Sequence, residues 1–264
     1  MLALIQALLI LGLNAIPVGG VILQHWSPST ALTLYWCENL LGTLLVTLRI
    51  AQHARRTRKR GHCRIQINQN SITQSHLTSD LFTFTREFAL LGFVFTLAHG
   101  FFLALVFLLV LKSPPSWNEI HQGLRYMIPI QIAGFLVDLP QLGSWSFAQL
   151  KRRSASILGR IVLIHLAIIG GMFIAAFSSR PHLFFSVFGT LKTLTDLASL
   201  LPAPARAPDE APRWFLTLAR ILGPAKPGLH SRDPAAWWRE SNRAERSREE
   251  QDEQFFPPVI TPSA

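Results

Sequence analysis

Seven ionisable side chains in this sequence stand inside runs of apolar residues: Glu38, His99, Asp138, Arg160, His165, Lys192 and Asp196. A charge held in hydrocarbon costs roughly 2.5–3.5 kcal/mol even on a lenient insertion scale, so each must be paired, wetted or used. At about 1.5 Å of helix per residue, position in the run gives depth. Glu38, His99, His165 and Lys192 fall near the middle of their runs, and Asp138, Arg160 and Asp196 fall nearer one end. Each level holds both signs. Sign and depth select Glu38 with Lys192, and Asp138 or Asp196 with Arg160, as partners.

Three kinds of chemistry use such a set. The plainest is packing: Lys192 and Asp196 stand at i and i+4 and can satisfy each other along one helix, while Arg160 can snorkel to the interface. A second is proton or ion movement, with Glu38 and the histidines changing protonation beside helices broken by proline and glycine. A third is metal binding: His99, His165 and Glu38 make a two-imidazole, one-carboxylate set suited to zinc or non-haem iron. Those three come from separate runs, with no H-E-x-x-H or E-x-x-H spacing to put two on one face, so no metal ligands are assigned and the cofactor is unknown.

The elements that must position these groups are long apolar helices. Of 264 residues, 49% are hydrophobic and only 15% charged, with the apolar residues gathered into runs of about 20, the length that crosses a bilayer. A soluble globular domain is excluded. The sequence predicts an all-α, polytopic membrane bundle of six transmembrane helices: residues 2–23, 30–50, 88–111, 126–146, 157–177 and 183–201. Asn14, Pro17 and Gly19-Gly20 interrupt the first, and Pro129, Asp138 and Pro140 the fourth. No Lys or Arg precedes the first run and no A-x-A site follows it, so it reads as a span and not as a cleaved leader.

The net charge of +10 is mainly a topology signal. Arg49, Arg55, Arg56, Arg58, Lys59, Arg60, Arg64 and Arg86 border or fill the second connection, and Lys151, Arg152 and Arg153 the fourth, against Lys112, Arg125 and Arg180 on the other side. By the positive-inside rule both termini are expected in the cytoplasm. The basic run 55–64 is expected to lie against anionic lipid head groups rather than nucleic acid. Cys37 and Cys63 have no C-x-x-C partner and suggest neither a disulfide nor structural zinc. Walker, G-x-S-x-G and kinase motifs are absent, and no internal repeat is visible.

The chain divides into a transmembrane domain, 1–201, and a cytoplasmic tail, 202–264, which opens on Pro202, Pro204, Pro208 and Pro212. In segment 212–223, Trp214, Phe215, Leu218, Ile221 and Leu222 fall on one face of a short helix flanked by Arg213 and Arg220, the pattern of an interfacial helix. The mixed-charge stretch 235–254 leaves open a solvated helix or a partly disordered chain.

Four motifs then stand in order on the runs. The second reads Tyr35-Trp36-x-Glu38-Asn39, and the third carries His99-Gly100. The fifth reads Arg160-Ile161-x-x-x-His165-x-x-Ile168-x-Gly170-Gly171, and the sixth Leu191-Lys192-Thr193-x-x-Asp196. Together they resemble an uncharacterised family of prokaryotic integral membrane proteins, a domain of unknown function, over about residues 1–200. The resemblance implies a multi-pass protein of a bacterial cytoplasmic membrane and brings no activity or catalytic residue with it. Its motifs contain Glu38, Asn39, His99, Arg160, His165, Lys192 and Asp196, the polar intramembrane cluster taken as the candidate site; Asp138 lies outside them and ranks lower. Movement of a small solute or ion through this cluster is the leading expectation. An intramembrane metal-dependent enzyme and a membrane scaffold acting through its tail are the alternatives, and whether the chain is an enzyme is left open.

Overall fold

A computed structural model describes residues 2–64, 80–111, 114–155, 181–198, 200, 208, 210–222 and 233–256. Among them the fold is all helical, without a strand. The expected fifth span, with Arg160 and His165, lies outside the described residues.

Helix α1, Leu2–Leu23, runs through Pro17 and ends where Trp26 folds back, its backbone N–H bonding to the Gly20 carbonyl at 3.0 Å. Helix α2, Pro28–Thr57, starts on a Ser27 cap: the serine hydroxyl accepts from the Thr30 N–H at 3.1 Å, and Pro28 occupies the first turn, where its missing N–H costs nothing. With 30 residues, α2 is about 45 Å long, well over the ~30 Å hydrocarbon core. It is the axis of the bundle, packed against α1, α3 (Thr83–Val106) and α4 (Trp117–Asp138). Two apolar clusters flank its first turns, Leu34 with Trp26, Ile120 and Met127, and Leu32 and Tyr35 with Leu103; a third lies farther along it, Val46 and Ile50 with Phe84, Phe88, Trp145 and Phe147.

Helix α3 has its polarity turned inside out. Leu90, Val94, Leu97 and Phe101 are exposed, whereas Thr96 and His99 are buried with Gly92 against the rest of the bundle. Gly92 lets α2 approach closely, since a Cβ there would press on the Thr43 methyl. In water such an exposed stripe would be a liability; in lipid it is the outer face. Among the described residues, three helices are long and apolar enough to cross a membrane: Leu4–Leu23, Pro28–Thr57 and the stretch Thr83–Leu109, which continues α3 into a π-helical segment, Phe107–Leu111.

The fourth element departs from the expected span. It begins at Trp117, just past Pro114-Pro115, so its first turns are polar (Asn118, Glu119, His121, Gln122). It stops as α-helix at Asp138, because Pro140 offers no N–H to the ladder, and continues as a 3-10 segment, Leu139–Ser144. Residues 147–155 are helical (α5), and α6 is Pro181–Ala198, packed against α1.

The tail forms α7, Arg213–Leu222, and α8, Pro234–Glu253. Asp233 caps α8 by accepting from the Ala235 N–H at 3.0 Å, which settles the mixed-charge stretch as helix. Phe215 of α7 lies against Trp237 and Trp238, with ring centroids 5.8 and 4.9 Å apart. The far end of α8 docks on a short 3-10 turn, Arg60–Cys63, that follows α2.

Candidate functional site

Helix α6 presents Lys192 and Asp196 one turn apart on the side that meets α1 and α2. The Lys192 Nζ stands 2.8 Å from Asp196 Oδ2, 3.0 Å from Glu38 Oε1 and 2.8 Å from Asn14 Oδ1. An ammonium has three protons to give, and these three oxygens take them. The Asn14 amide nitrogen donates in turn to Asp196 Oδ2 at 2.9 Å and to the Ile10 carbonyl at 3.0 Å. The face of Tyr35 lies 4.9 Å from Nζ, close enough for a cation–π attraction. Lys192 and Glu38 are each 1% exposed, so charge and hydrogen-bond satisfaction here carry nearly the whole cost of desolvation.

A second polar group sits farther along α2, toward the end of the bundle that carries the basic residues. Asp138, at the end of α4, meets Arg49 at 3.0 Å, the Gln6 amide at 2.8 Å and Arg153 of α5 at 3.7 Å. Arg153 also lies over the Trp145 ring, 4.2 Å from its centroid. Between the two groups lies a cavity of about 580 Å³, with Glu38 and Asp196 in its inner wall and Arg49, Asp138 and Arg153 at its outer end. Leu9, Leu13, Leu45 and Ile130 line the stretch between them.

The structure thus brings Glu38, Lys192 and Asp196 together and places Asp138 with Arg49 rather than with any of them. Asn39 is buried beside Glu38 on α2, and neither atom of its amide has a hydrogen-bond partner among the described residues. His99 is buried on α3. Arg160 and His165, and with them the expected Arg160 pairings, lie outside the described residues. Among the described residues no three His, Cys, Asp or Glu side chains gather as metal ligands.

Sequence reasoning missed Asn14, Tyr35, Gln6 and Arg49 as parts of these groups. Asn14 carried a signal, since an amide in an apolar run needs a partner. Arg49 ends the second apolar run and counts there as a border of the basic connection, yet its side chain pairs with Asp138.

A third polar group lies where α8 docks. The His53 Nε2 faces the Trp145 carbonyl at 3.1 Å and must donate to it, which leaves Nδ1 as an acceptor. The His62 Nε2, 2.7 Å from that Nδ1, is then the donor, and His62 Nδ1 is buried without a hydrogen-bond partner among the described residues. Burial first, then the nearness of His53 and Lys59, pushes the His62 pKa down to about 3, so the ring is neutral. Around it Lys59 pairs with Glu253 at 2.6 Å and Arg64 with Asp252 at 3.2 Å, and the Arg60 guanidinium donates to Gln254 Oε1 at 2.8 Å. Of the basic run 55–64, these three residues face α8, while Arg55, Arg56 and Arg58 are exposed. Gly61 is obligatory at this turn, because a Cβ would overlap the Phe147 ring.

One family model matches the chain, over residues 1–213, and is described as a family of unknown function (DUF6498). No curated protein matches, and no solved structure does.

Proposed function

The chain belongs to this family of unknown function, and on that footing we propose that it is a multi-pass membrane protein that binds and moves a small solute, with proton exchange at Glu38 and Asp196. One observation carries the reading: two carboxylates paired to a buried lysine within long apolar helices also form the inner wall of a cavity. Structural ion pairs need no such cavity beside them. Among the described residues, one ammonium sits with two carboxylates, and a proton or cationic group bound there competes with Lys192 for them. A proton added to Asp196 or Glu38 removes one acceptor charge from Lys192 and loosens the three-way clamp. A solute amine arriving through the cavity offers the same neutralisation, which makes proton and solute alternatives at one place.

A membrane-soluble carbodiimide tests this, since it reacts with protonated carboxyl groups that it can reach. Mass spectrometry of the treated protein is expected to find adducts on Glu38 or Asp196 that diminish as pH rises and vanish in Glu38→Gln/Asp196→Asn. Absence of adducts at every pH overturns the reading.

The proposed placement is six spans in a bacterial cytoplasmic membrane, with both termini inside. It is supported by the basic end of the bundle and by α7, whose Trp214, Leu218 and Ile221 are exposed as an interfacial helix requires. Arg55, Arg56 and Arg58 are proposed to meet anionic head groups there. In intact cells a membrane-impermeant maleimide should label Trp117→Cys and spare Arg58→Cys; the converse pattern inverts the topology.

A further inference from the structure

Helix α5, residues 147–155, stands between the tail and the cavity. Its Leu150, Arg153 and Ser154 form part of the cavity wall, together with Trp145 just before it. Its start is fixed from two directions. The Ser146 hydroxyl caps it locally, accepting from the Gln149 N–H at 3.0 Å. The Ala148 N–H instead donates to Glu253 Oε1 at 3.2 Å, so a carboxylate from the far end of α8 supplies a second cap, where the helix dipole favours negative charge. The other oxygen of that carboxylate, Oε2, takes Lys59 at 2.6 Å, and Lys59 Nζ also donates to the Trp145 carbonyl at 3.0 Å. One side chain of the tail thus ties the start of α5 to the chain that follows α2.

Two backbone bonds seat that side chain. The Arg60 N–H donates to the Gln254 carbonyl and the Phe256 N–H to the Arg58 carbonyl, both at 2.7 Å, an antiparallel pair centred on Lys59 and Phe255. Elsewhere α8 is lightly held: Asp252 is the one buried residue of its twenty, and Phe255 just beyond it is 77% exposed. A joint of charges and backbone bonds with little apolar burial opens more easily than the packed bundle beside it. Helix α8 also begins past residue 213, where the family match ends, so it is an addition to the part of the chain that the family shares. We propose that the end of α8 is a regulatory strap on the cavity. Docked, it fixes the start of α5 and shields the wall that α5 contributes; released, it lets α5 shift and opens that wall. Phe147 and Leu150 stay in their apolar cluster, so α5 hinges and does not unfold. The strap goes beyond the solute reading and rests on the cavity wall, whatever the cavity holds.

Ser154→Cys reports on the strap, since Ser154 lies in the cavity wall and is 2% exposed with the tail docked. In the full-length protein in detergent, N-ethylmaleimide should modify that cysteine slowly, with peptide mass spectrometry separating it from Cys37 and Cys63. Adding Asp252→Ala/Glu253→Ala should quicken the modification at least about tenfold and quicken hydrogen exchange of the α8 amides, while exchange in α4 stays as it was. Faster α8 exchange with unchanged modification overturns the proposal, because the tail is then released without consequence for the cavity. Unchanged α8 exchange overturns it as well, since the acidic end is then not what seats the tail. Faster exchange across α4 assigns the effect to general loosening and likewise removes the strap. Carbodiimide modification of Glu38 or Asp196 is read separately, so the solute reading can stand where the strap fails.

Discussion

Lys192→Met is expected to destabilise the protein by about 3–5 kcal/mol, the range found when one member of a buried ion pair is removed. Methionine fills nearly the same volume, so little of the loss comes from packing. The loss comes from Glu38 and Asp196, which sit almost wholly buried on either side of the position and would face each other without the ammonium between them. Asn14 would lose the acceptor role of its oxygen and retain only its donor bonds. The comparison that isolates charge is Lys192→Met combined with Glu38→Gln and Asp196→Asn: it removes all three charges and should recover most of the loss, because amides bury at lower cost than carboxylates. Thermal unfolding in detergent measures both variants. A single Lys192→Met with a Tm near that of the parent would mean that the carboxylates find other compensation, and that the three-way contact is not what holds α6 to α1 and α2.

Acidification is expected to loosen the packing around His62, at the turn on which α8 docks. The neutral His62 has a pKa pushed down to about 3, against an ordinary value near 6.5 in an unfolded chain. Between those values the unfolded segment binds a proton that the folded one refuses, so the packing around His62 is fully stable above about pH 6.5 and weakens as pH falls. At about 1.4 kcal/mol per unit the complete effect is on the order of 4–5 kcal/mol, with about 2 kcal/mol already lost near pH 5. The cause is geometric: the second proton must go to the buried Nδ1, which has no hydrogen-bond partner among the described residues. Hydrogen exchange of the α8 amides should therefore quicken from about pH 7 to about pH 5, after correction for intrinsic rates, beyond any change in α4. His62→Phe keeps a ring against Phe84 and Phe147, whose centroids lie 6.4 and 5.0 Å from the histidine's, and should flatten the pH response. A response that survives the substitution would assign it instead to the Lys59–Glu253 and Arg64–Asp252 pairs.

The helices were largely legible in the sequence, because a run of apolar residues is itself the physical condition for a membrane helix. The start of α4 was not: Trp117 to Arg125 is too polar for a hydropathy window, and the helix there is fixed by packing of Ile120, Gly123 and Met127 against α2. Sign and depth picked out Glu38 and Lys192 as partners, since charges in hydrocarbon have few ways to be satisfied. The same logic did not reach Asn14, whose amide is neutral, or Arg49, which stands at the very end of its apolar run. The docking of α8 was hidden for another reason. Mixed charge reads as solvation unless the complementary surface is known, and that surface is assembled from segments nearly two hundred residues away in the chain, as with Lys59 and Glu253.

Helix α2 has one more consequence. Glu38, Arg49 and His53 belong to a single unbroken rod and answer to three different partners: the buried lysine, the carboxylate at the outer end of the cavity, and the 3-10 turn on which the tail docks. Their angular positions about the axis are locked together at about 100° per residue. Turning the rod to improve one contact necessarily turns the other two, so the three have a common phase and no independent adjustment. Inserting or deleting one residue between Val46 and Leu48 would leave either half of the helix intact and put its stations out of step with one another.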